Sequence, residues 1–593
     1  MKILGLVNIE DKSHDNGIAL IENQEIIFAE SGERASRIKH DDSVPTNTIK
    51  RMLKILNLNI NQIDYFAVGT PKFNWWSLIL ARNYGLDTVL YIFNLFIQNP
   101  KLFLFDFKKR LERFLTSHSK SNVQKGIDKL FDNYEINRNK IVYVDHQQSH
   151  AASAYYSSGI NEKCLAISLD GCGPNKKGKI ISGGVYICED GKMELISEVP
   201  CFATFGGLYS AVTYVLGFKP GDGEFKTMGL SSFGKPTCYN QIKKLAPYFN
   251  NGKYYSNRYW VDFYSVMNSK VFEKTRLYKQ LIKLKKQHSE KNLAASLQKV
   301  LEENVITLLE YFSKKYNIKN FSCAGGVFLN IKMNKKIVEK NFVDKFHVYP
   351  NASDAGIPAG AAYVLFEKKE TLKPKKIENL YLGNWVTEDE ILYDLSFFKD
   401  KIKFEKYTDY NKQAKKISEI LVEGKVIGLF QGRAEWGPRA LGNRSVLADP
   451  RDKNTKDRIN TFLKDRDWFM PFGPSALSEQ YLKYLKDTDV VNKSFLHYFM
   501  LTTFDVTKKE AFPAAMHVDN TSRVHVVKRE INPNYYQIIN EFYSQTGCPY
   551  ILNTSFNKHG LPIVNSARDA IEHLLDNCIE VLSIENYIIY KNE

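Results

Sequence analysis

The sequence predicts an α/β protein of two domains, residues 1–370 and 371–593, the first of them built from two copies of one lobe. Three observations carry this. A strand, a polar loop and a hairpin occur twice in that order. A basic, proline-bearing stretch, Leu372-Lys373-Pro374-Lys375-Lys376, separates the two parts. A further strand, 426–430, then leads into a loop dense in arginine and glycine. At 593 residues the chain exceeds what one core supports.

In the first copy, residues 2–8 alternate too little for a half-exposed strand and read as buried. Ser13-His14-Asp15-Asn16-Gly17 is the polar loop, and 18–21 with 25–28 form a hairpin about Glu22-Asn23. In the second, 164–169 is the strand, Asp170-Gly171-Cys172-Gly173 the polar turn, and 180–188 with 193–199 a hairpin about Asp190-Gly191. Such duplication resembles the lobes of actin-like ATPases and sugar kinases, where loops after the first strands converge on a ligand. Between the copies, 75–113 is rich in aromatics but interrupted by Asp87, Asn94 and Pro100. It reads as an inserted helical pair, with a cap over an acceptor site or a membrane-surface patch as the sharper alternatives.

Hydrophobic residues make up 44% and charged residues 25%, ordinary values for a globular protein. The net charge of +16 (82 Lys and Arg against 66 Asp and Glu) is spread along the chain without an arginine-rich arm. It favours small anionic ligands over a polynucleotide. No apolar run reaches membrane-spanning length, and the short run 3–7 is too brief for a signal-peptide core. Eight cysteines without paired spacing fit a reducing cytoplasm, most of them buried as small hydrophobes.

Several stretches carry chemistry. Asp145-His146-Gln147-Gln148-Ser149-His150 ends a strand and begins a small-residue helix. His146 and His150 then share one helix face, a turn apart, as half of a transition-metal site or as packed helix-start residues. The glycines of Phe205-Gly206-Gly207 and Pro220-Gly221-Asp222-Gly223 permit backbone approach to an anion, or simply turns. Cys323-Ala324-Gly325-Gly326, leading to Asn330, is strand, glycine turn and helix start, suited to a nucleotide or to close packing. Asp354 follows another strand, where a helix cap would explain it equally. The loop 431–445 holds Arg433, Arg439 and Arg444 among three glycines, a composition that fits phosphate.

Taken in order, these motifs resemble the O-carbamoyltransferases that decorate antibiotics and nodulation factors. Ser13-His14-Asp15, the His146/His150 pair, Ser168-Leu169-Asp170-Gly171, Gly223-Glu224-Phe225-Lys226-Thr227-Met228-Gly229-Leu230 and the 432–445 loop carry the likeness along nearly the whole chain. The resemblance implies an actin-like first domain, related to the tRNA threonylcarbamoyltransferases, and a threonylcarbamoyl-AMP synthase-like second domain. The second would form carbamoyl-adenylate from carbamoyl phosphate and ATP with Mg. The first would pass the carbamoyl group to a hydroxyl of a sugar or natural product.

The same resemblance assigns residues. His146, His150, Asp170 and Asp354 would hold Fe(II), with zinc or manganese fitting the same donors. His14 would stabilise the carbamoyl oxygen or move a proton, and Asp222 would be a base. Gly206, Gly207, Gly325, Gly326 and Asn330 would line the adenylate, while Arg433, Arg439, Asn443, Arg444 and Arg523 would hold phosphates. Gln147 departs from the family's pattern, which has a further histidine there. A homodimer stays open. A tRNA-modifying relative and a non-catalytic nucleotide-binding scaffold are the rival readings.

Overall fold

The computed structural model describes residues 1–7, 15–41, 43–69, 122–175, 179–256, 266–267 and 269–592. The aromatic segment 75–113 lies outside them. The chain divides into two compact units. The first comprises Met1–Ile27, Asp42–Thr46 and Leu58–Lys376; the second comprises Phe28–Asp41, Asn47–Asn57 and Ile377–Glu593.

Strands β1 (Lys2–Val7), β2 (Gly17–Glu22), β3 (Glu25–Ser31), β4 (Tyr65–Gly69) and β5 (Ile141–Val144) form a sheet of order β3-β2-β1-β4-β5. β1 pairs antiparallel with β2 and parallel with β4, which pairs parallel with β5. Strands β6 (Cys164–Pro174), β7 (Ile180–Glu189) and β8 (Lys192–Pro200) repeat the meander. A small separate hairpin follows, β9 (Tyr248–Asn250) with β10 (Lys253–Tyr255). Then β11 (Asn320–Ala324) and β12 (Lys345–Val348) complete the second sheet, β8-β7-β6-β11-β12. Here β6 pairs antiparallel with β7 and parallel with β11, β7 antiparallel with β8, and β11 parallel with β12. The same strand order and the same polarity in both sheets is the duplicated, actin-like plan that the sequence predicts.

Local chemistry explains the hairpins. Asn23 and Gln24 both take left-handed backbone, as do Asp190 and Gly191, which is the turn geometry that matches strand twist. The first turn therefore sits one residue beyond its expected place, and Glu22 stays in the strand. A second expectation changes more. Asp170 to Gly173 is not a polar turn: β6 continues through Pro174, with a register break between Leu169 and Gly173. A bulge keeps the ladder while re-aiming the side chains within it.

The second unit is built on an eight-stranded mixed sheet. Its strands are β13 (Ile402–Lys406), β14 (Ile427–Phe430), β15 (Arg444–Ala448), β16 (Gly473–Leu477), β20 (His525–Val527), β21 (Tyr550–Ser555), β22 (Val581–Ile584) and β23 (Tyr587–Lys591). They run in the order β13-β23-β22-β14-β15-β21-β16-β20, while β17 (Leu485–Lys486), β18 (Phe504–Val506) and β19 (Thr521–Ser522) make a smaller sheet. Ile391, Leu395, Phe556, Ile571, Leu574 and Leu582 belong to the core that the helices Glu388–Phe397 and Ala567–Leu575 share with the large sheet. The arginine-rich loop is the connection between antiparallel β14 and β15.

Cysteine usage differs from expectation at two positions. Cys172, in the β6 bulge, is disulfide-bonded to Cys201, in the short helical turn after β8. Strand continuation through the bulge brings the two chain segments together, which spacing in sequence could not show. The other six cysteines are buried and free.

Burial of histidine makes the second unit sensitive to acid. His525 is buried in β20 beside the Ser475 hydroxyl, 3.1 Å from Nδ1, and burial pushes its pKa down to about 3. The folded state thus binds its proton less readily than the unfolded chain. Its contribution is full above the ordinary histidine range near 6.5 and is lost as the pH falls below it. Each such group contributes a slope approaching about 1.4 kcal/mol per pH unit. His525→Gln is expected to flatten the fall in unfolding free energy between neutral and mildly acidic pH, read by denaturant titration; an unchanged slope contradicts it.

Candidate metal and anion sites

In the first unit His146, His150, Asp170 and Asp354 converge, each offering one ligand atom, and these atoms all lie within 4.8 Å of one another. The two histidines open the helix His146–Tyr156, which follows β5 with Asp145 as its extended N-cap. Buried Ala151, Ala152, Ser153 and Ala154 leave little bulk along that helix, so it packs closely behind the site. Asp170 comes from the bulged end of β6. Asp354 begins the turn Asp354–Gly356; Ser353 occupies the N-cap, so capping does not account for the Asp354 carboxylate.

His146 Nε2 stands 3.4 Å from Asp170 Oδ2 and 3.7 Å from Asp354 Oδ1. His150 Nε2 stands 3.8 Å and 3.3 Å from the same two atoms. Donors about 2.1 Å from one tetrahedral ion are about 3.4 Å apart, so these separations suit a single cation. His150 is 1% exposed, and neither ring nitrogen has a hydrogen-bond partner among the described residues. A buried imidazole left this way is costly unless a nitrogen coordinates. The donor set therefore fits a divalent metal of borderline softness.

Charge balance supports the cluster. For His146, burial opposes protonation, but Asp354 and Asp170 outweigh it and raise the pKa. For Asp170, burial is outweighed by the His146 hydrogen bond and by the fields of His150 and His146, which hold the carboxyl well below its usual range. Gly326 N–H donates to Asp170 Oδ1 at 3.0 Å, and the Thr204 hydroxyl donates to the Asp170 carbonyl at 3.1 Å. A Cβ added at Gly173 would lie 2.3 Å from the His146 ring. Gly173→Ala is expected to displace that ring and weaken metal binding by about 10–100-fold, as changes beside metal ligands do. Metal-to-protein ratios after dialysis provide the check, and an unchanged ratio counts against the metal reading.

The remaining first-unit candidates fall into place unevenly. Gly206 and Gly207 lie at the start of the helix Phe205–Val215, where Thr204 accepts from Gly207 N–H, and Gly206 faces the Asp170 carbonyl. Gly325 has φ 96°, and a Cβ there would meet the Leu169 carbonyl at 2.1 Å, so sheet packing already demands glycine. Asn330 caps the helix Ile331–Val338 and exchanges hydrogen bonds with Gln298. Asp222 sits in the turn before the helix Glu224–Ser231, outside the four-donor cluster. His14 lies outside the described residues.

In the second unit, three of the five expected phosphate residues are committed to the framework of the loop. Arg444 is fully buried; its Nη1 donates to the Gln431 and Asn443 carbonyls and its Nη2 to those of Asn384 and Gly432. Its guanidinium carbon lies 3.6 Å from the centre of the Phe430 ring, its cross-strand partner. Arg433 donates to the Gly383 and Leu382 carbonyls, and Asn443 Nδ2 to the Arg433 carbonyl. Sequence composition shows cations near glycines but cannot show that backbone oxygens consume them.

Arg439, Arg523 and Arg466 lie close enough for their charges to act on one another. Burial, then the charges of Arg523 and Arg466, hold Arg439 well below the usual arginine range. Burial and Arg466 push Arg523 down to about 10. Arg523 Nε is buried with no hydrogen-bond partner among the described residues. Lys464 is likewise lowered by burial, then by Arg466 and Lys39, while its ammonium is held by Ser555 and Asn557. Like charges held this close to one another suit an anion. Lys464 and Arg466 were hidden in a charged run, 464–467, that reads as solvated surface; the π-helical turn Asn460–Lys464 that aims Lys464 leaves no pattern in sequence.

The loop has its own organiser, also not singled out by the sequence. Buried Glu435 accepts at Oε1 from the backbone N–H groups of Leu441, Asn443 and Arg444, at 2.7, 2.9 and 3.1 Å. One carboxylate thereby folds the chain from 435 to 444 into a tight arch.

Comparison with known proteins identifies the family. Residues 2–363 match the family model for the carbamoyltransferase N-terminus, and 418–591 that for the carbamoyltransferase C-terminus. The nodulation protein NolNO of Sinorhizobium fredii is 30% identical over 581 residues, covering 98% of this chain and 79% of that one. An uncharacterised protein of Methanocaldococcus jannaschii is 31% identical over 638 residues, covering 99% of each. Full-length HypF, in its phosphate- and nucleotide-bound form, is similar at 13% identity and TM-score 0.35, over 62% of this chain and 46% of that one. A score that low leaves the fold assignment to rest on strand order. The protein is a group-transferring enzyme of two α/β units. It belongs to the carbamoyltransferase family.

Proposed function

We propose that the chain is an ATP-dependent O-carbamoyltransferase acting on a hydroxyl of a sugar or other natural product. The observation that supports this reading is the grouping of Arg439, Arg466 and Arg523 in the second unit, three like charges that suit an anion, in a chain whose first unit holds the four-donor cluster. Carbamoyl phosphate and water would give carbamate and inorganic phosphate. Carbamate oxygen would then attack the α-phosphorus of ATP, forming carbamoyl-adenylate and expelling pyrophosphate. Arg439, Arg466 and Arg523 offset the phosphate charge in both steps, on a loop that Glu435 and Arg444 hold in shape.

Transfer would follow in the first unit. The acceptor oxygen bonds to the carbamoyl carbon, the carbon–oxygen bond to AMP breaks, and the acceptor proton passes to a base, for which Asp222 and His14 are the candidates. A divalent ion, Fe(II) by the family resemblance, would be held by His146, His150, Asp170 and Asp354 and would supply Lewis-acid polarisation of the carbamoyl oxygen. Gly326 keeps Asp170 aimed, and Gly173 leaves room for the His146 ring.

Among the described residues no helix is long and apolar enough to cross a membrane. The bond between Cys172 and Cys201 withdraws the cysteine argument for a reducing compartment. A cytoplasmic location rests on the two substrates alone. Incubating the protein and a metabolite extract with ATP and labelled carbamoyl phosphate, followed by mass spectrometry, tests the function. The expected result is a carbamoylated hydroxyl compound with release of pyrophosphate. Neither product appearing, or carbamoylation of purified tRNA instead, rejects it.

A further inference from the structure

The N-terminal region contributes a segment, Phe28–Asp41, to the second unit. Four residues fasten it there. Ala29 N–H donates to the Leu382 carbonyl at 2.9 Å, and Glu30 accepts from Asn565 at 2.9 Å. Arg37 donates to the Ile563 and Pro562 carbonyls and pairs with Asp569 at 3.2 Å. The fourth is Arg34, whose Nη2 donates to the Gly437 carbonyl at 3.1 Å, two residues before Arg439 in the arginine loop.

Arg34 is not satisfied by that contact. It is 3% exposed, and Nη1 is sealed from solvent with no hydrogen-bond partner among the described residues. The carboxylate recorded beside it is that of its neighbour Glu33, at 4.0 Å, and Glu33 already accepts from His40 N–H. The Arg34 charge also adds to the positive field at Arg37 and Arg444, while Lys39 of the same segment adds to that at Lys464. A buried guanidinium with an open donor, fixed to a phosphate-type loop, fits a further anionic oxygen better than it fits structure alone.

We propose that Arg34 is an anion-binding residue of the second unit, donating through Nη1 to a phosphate oxygen of the substrates. The inference deepens the proposed function and rests on it. It means that the nucleotide- and phosphate-handling unit is completed by a residue encoded more than 300 positions upstream of its main sequence, at separation 403 from Gly437.

Titration calorimetry of the full chain with inorganic pyrophosphate tests it. Arg34→Lys can keep the bond to Gly437 but not the second prong, and Arg523→Gln serves as the reference variant. Both are expected to weaken binding by about ten-fold or more, the worth of one charge-assisted hydrogen bond, with the unfolding temperature of R34K unchanged. R34K binding within about two-fold of the parent, while R523Q loses affinity, overturns the proposal. Should R34K misfold, hydrogen exchange on the unaltered chain decides. Pyrophosphate is expected to slow exchange over 29–38, and no slowing overturns the role of Arg34. No binding of pyrophosphate by the parent protein instead rejects the anion site as a whole, and Arg34 with it.

Discussion

Replacing His150 by alanine is expected to eliminate carbamoyl transfer while leaving ATP-dependent pyrophosphate release intact. His150 is the most enclosed member of the four-donor cluster, and its ring makes no hydrogen bond that its loss would strand. The variant removes one donor and leaves Asp170 anchored by Gly326. Changes beside metal ligands alone cost about 10–100-fold, so loss of a ligand is expected to exceed about 100-fold in transfer. Metal analysis of anaerobically purified protein gives a second readout, in which the variant should retain far less metal than the parent. Equal metal content with intact transfer would remove His150 from the site. Loss of pyrophosphate release as well would mean that the two half-reactions do not divide as proposed.

The second large effect concerns folding. Arg444→Met keeps the length of the side chain but removes the guanidinium from four carbonyl oxygens, of which those of Asn443 and Asn384 keep a backbone donor and those of Gln431 and Gly432 lose this one. Removing one side of a buried charged network typically costs about 3–5 kcal/mol, so the second unit should unfold at markedly lower denaturant concentration. The sequence reading of Arg444 as a phosphate ligand expects something else: a normally stable protein that binds pyrophosphate poorly. Denaturant midpoint and pyrophosphate affinity, measured on the same variant, separate the two roles. A stable R444M with impaired binding would restore the sequence reading.

The contrast at Arg444 shows where sequence reading stops. His146 and His150 could be paired from spacing because helix periodicity is local, and the carboxylates were placed through resemblance to a family. The bulge that aims Asp170 was read as a turn, since a polar, glycine-rich tetrapeptide has the composition of either. In the arginine loop, composition pointed to phosphate for three arginines alike. The fold divides them: Arg444 and Arg433 bond to backbone oxygens, whereas Arg439 joins Arg523 and Arg466.

By itself the sequence determined the duplicated α/β plan, the carbamoyltransferase resemblance and the histidine pair. All three depend on patterns within a few residues, or on motifs kept in order. Tertiary structure alone decided which cations are spent on the framework, that Glu435 folds the loop, that Cys172 meets Cys201, and that Arg34 belongs to the second unit. Each of these is a pairing made by the folded chain, across a few residues at Glu435 and across hundreds at Arg34. Hydrogen-bond partners and burial are properties of the folded neighbourhood, which no local residue pattern encodes.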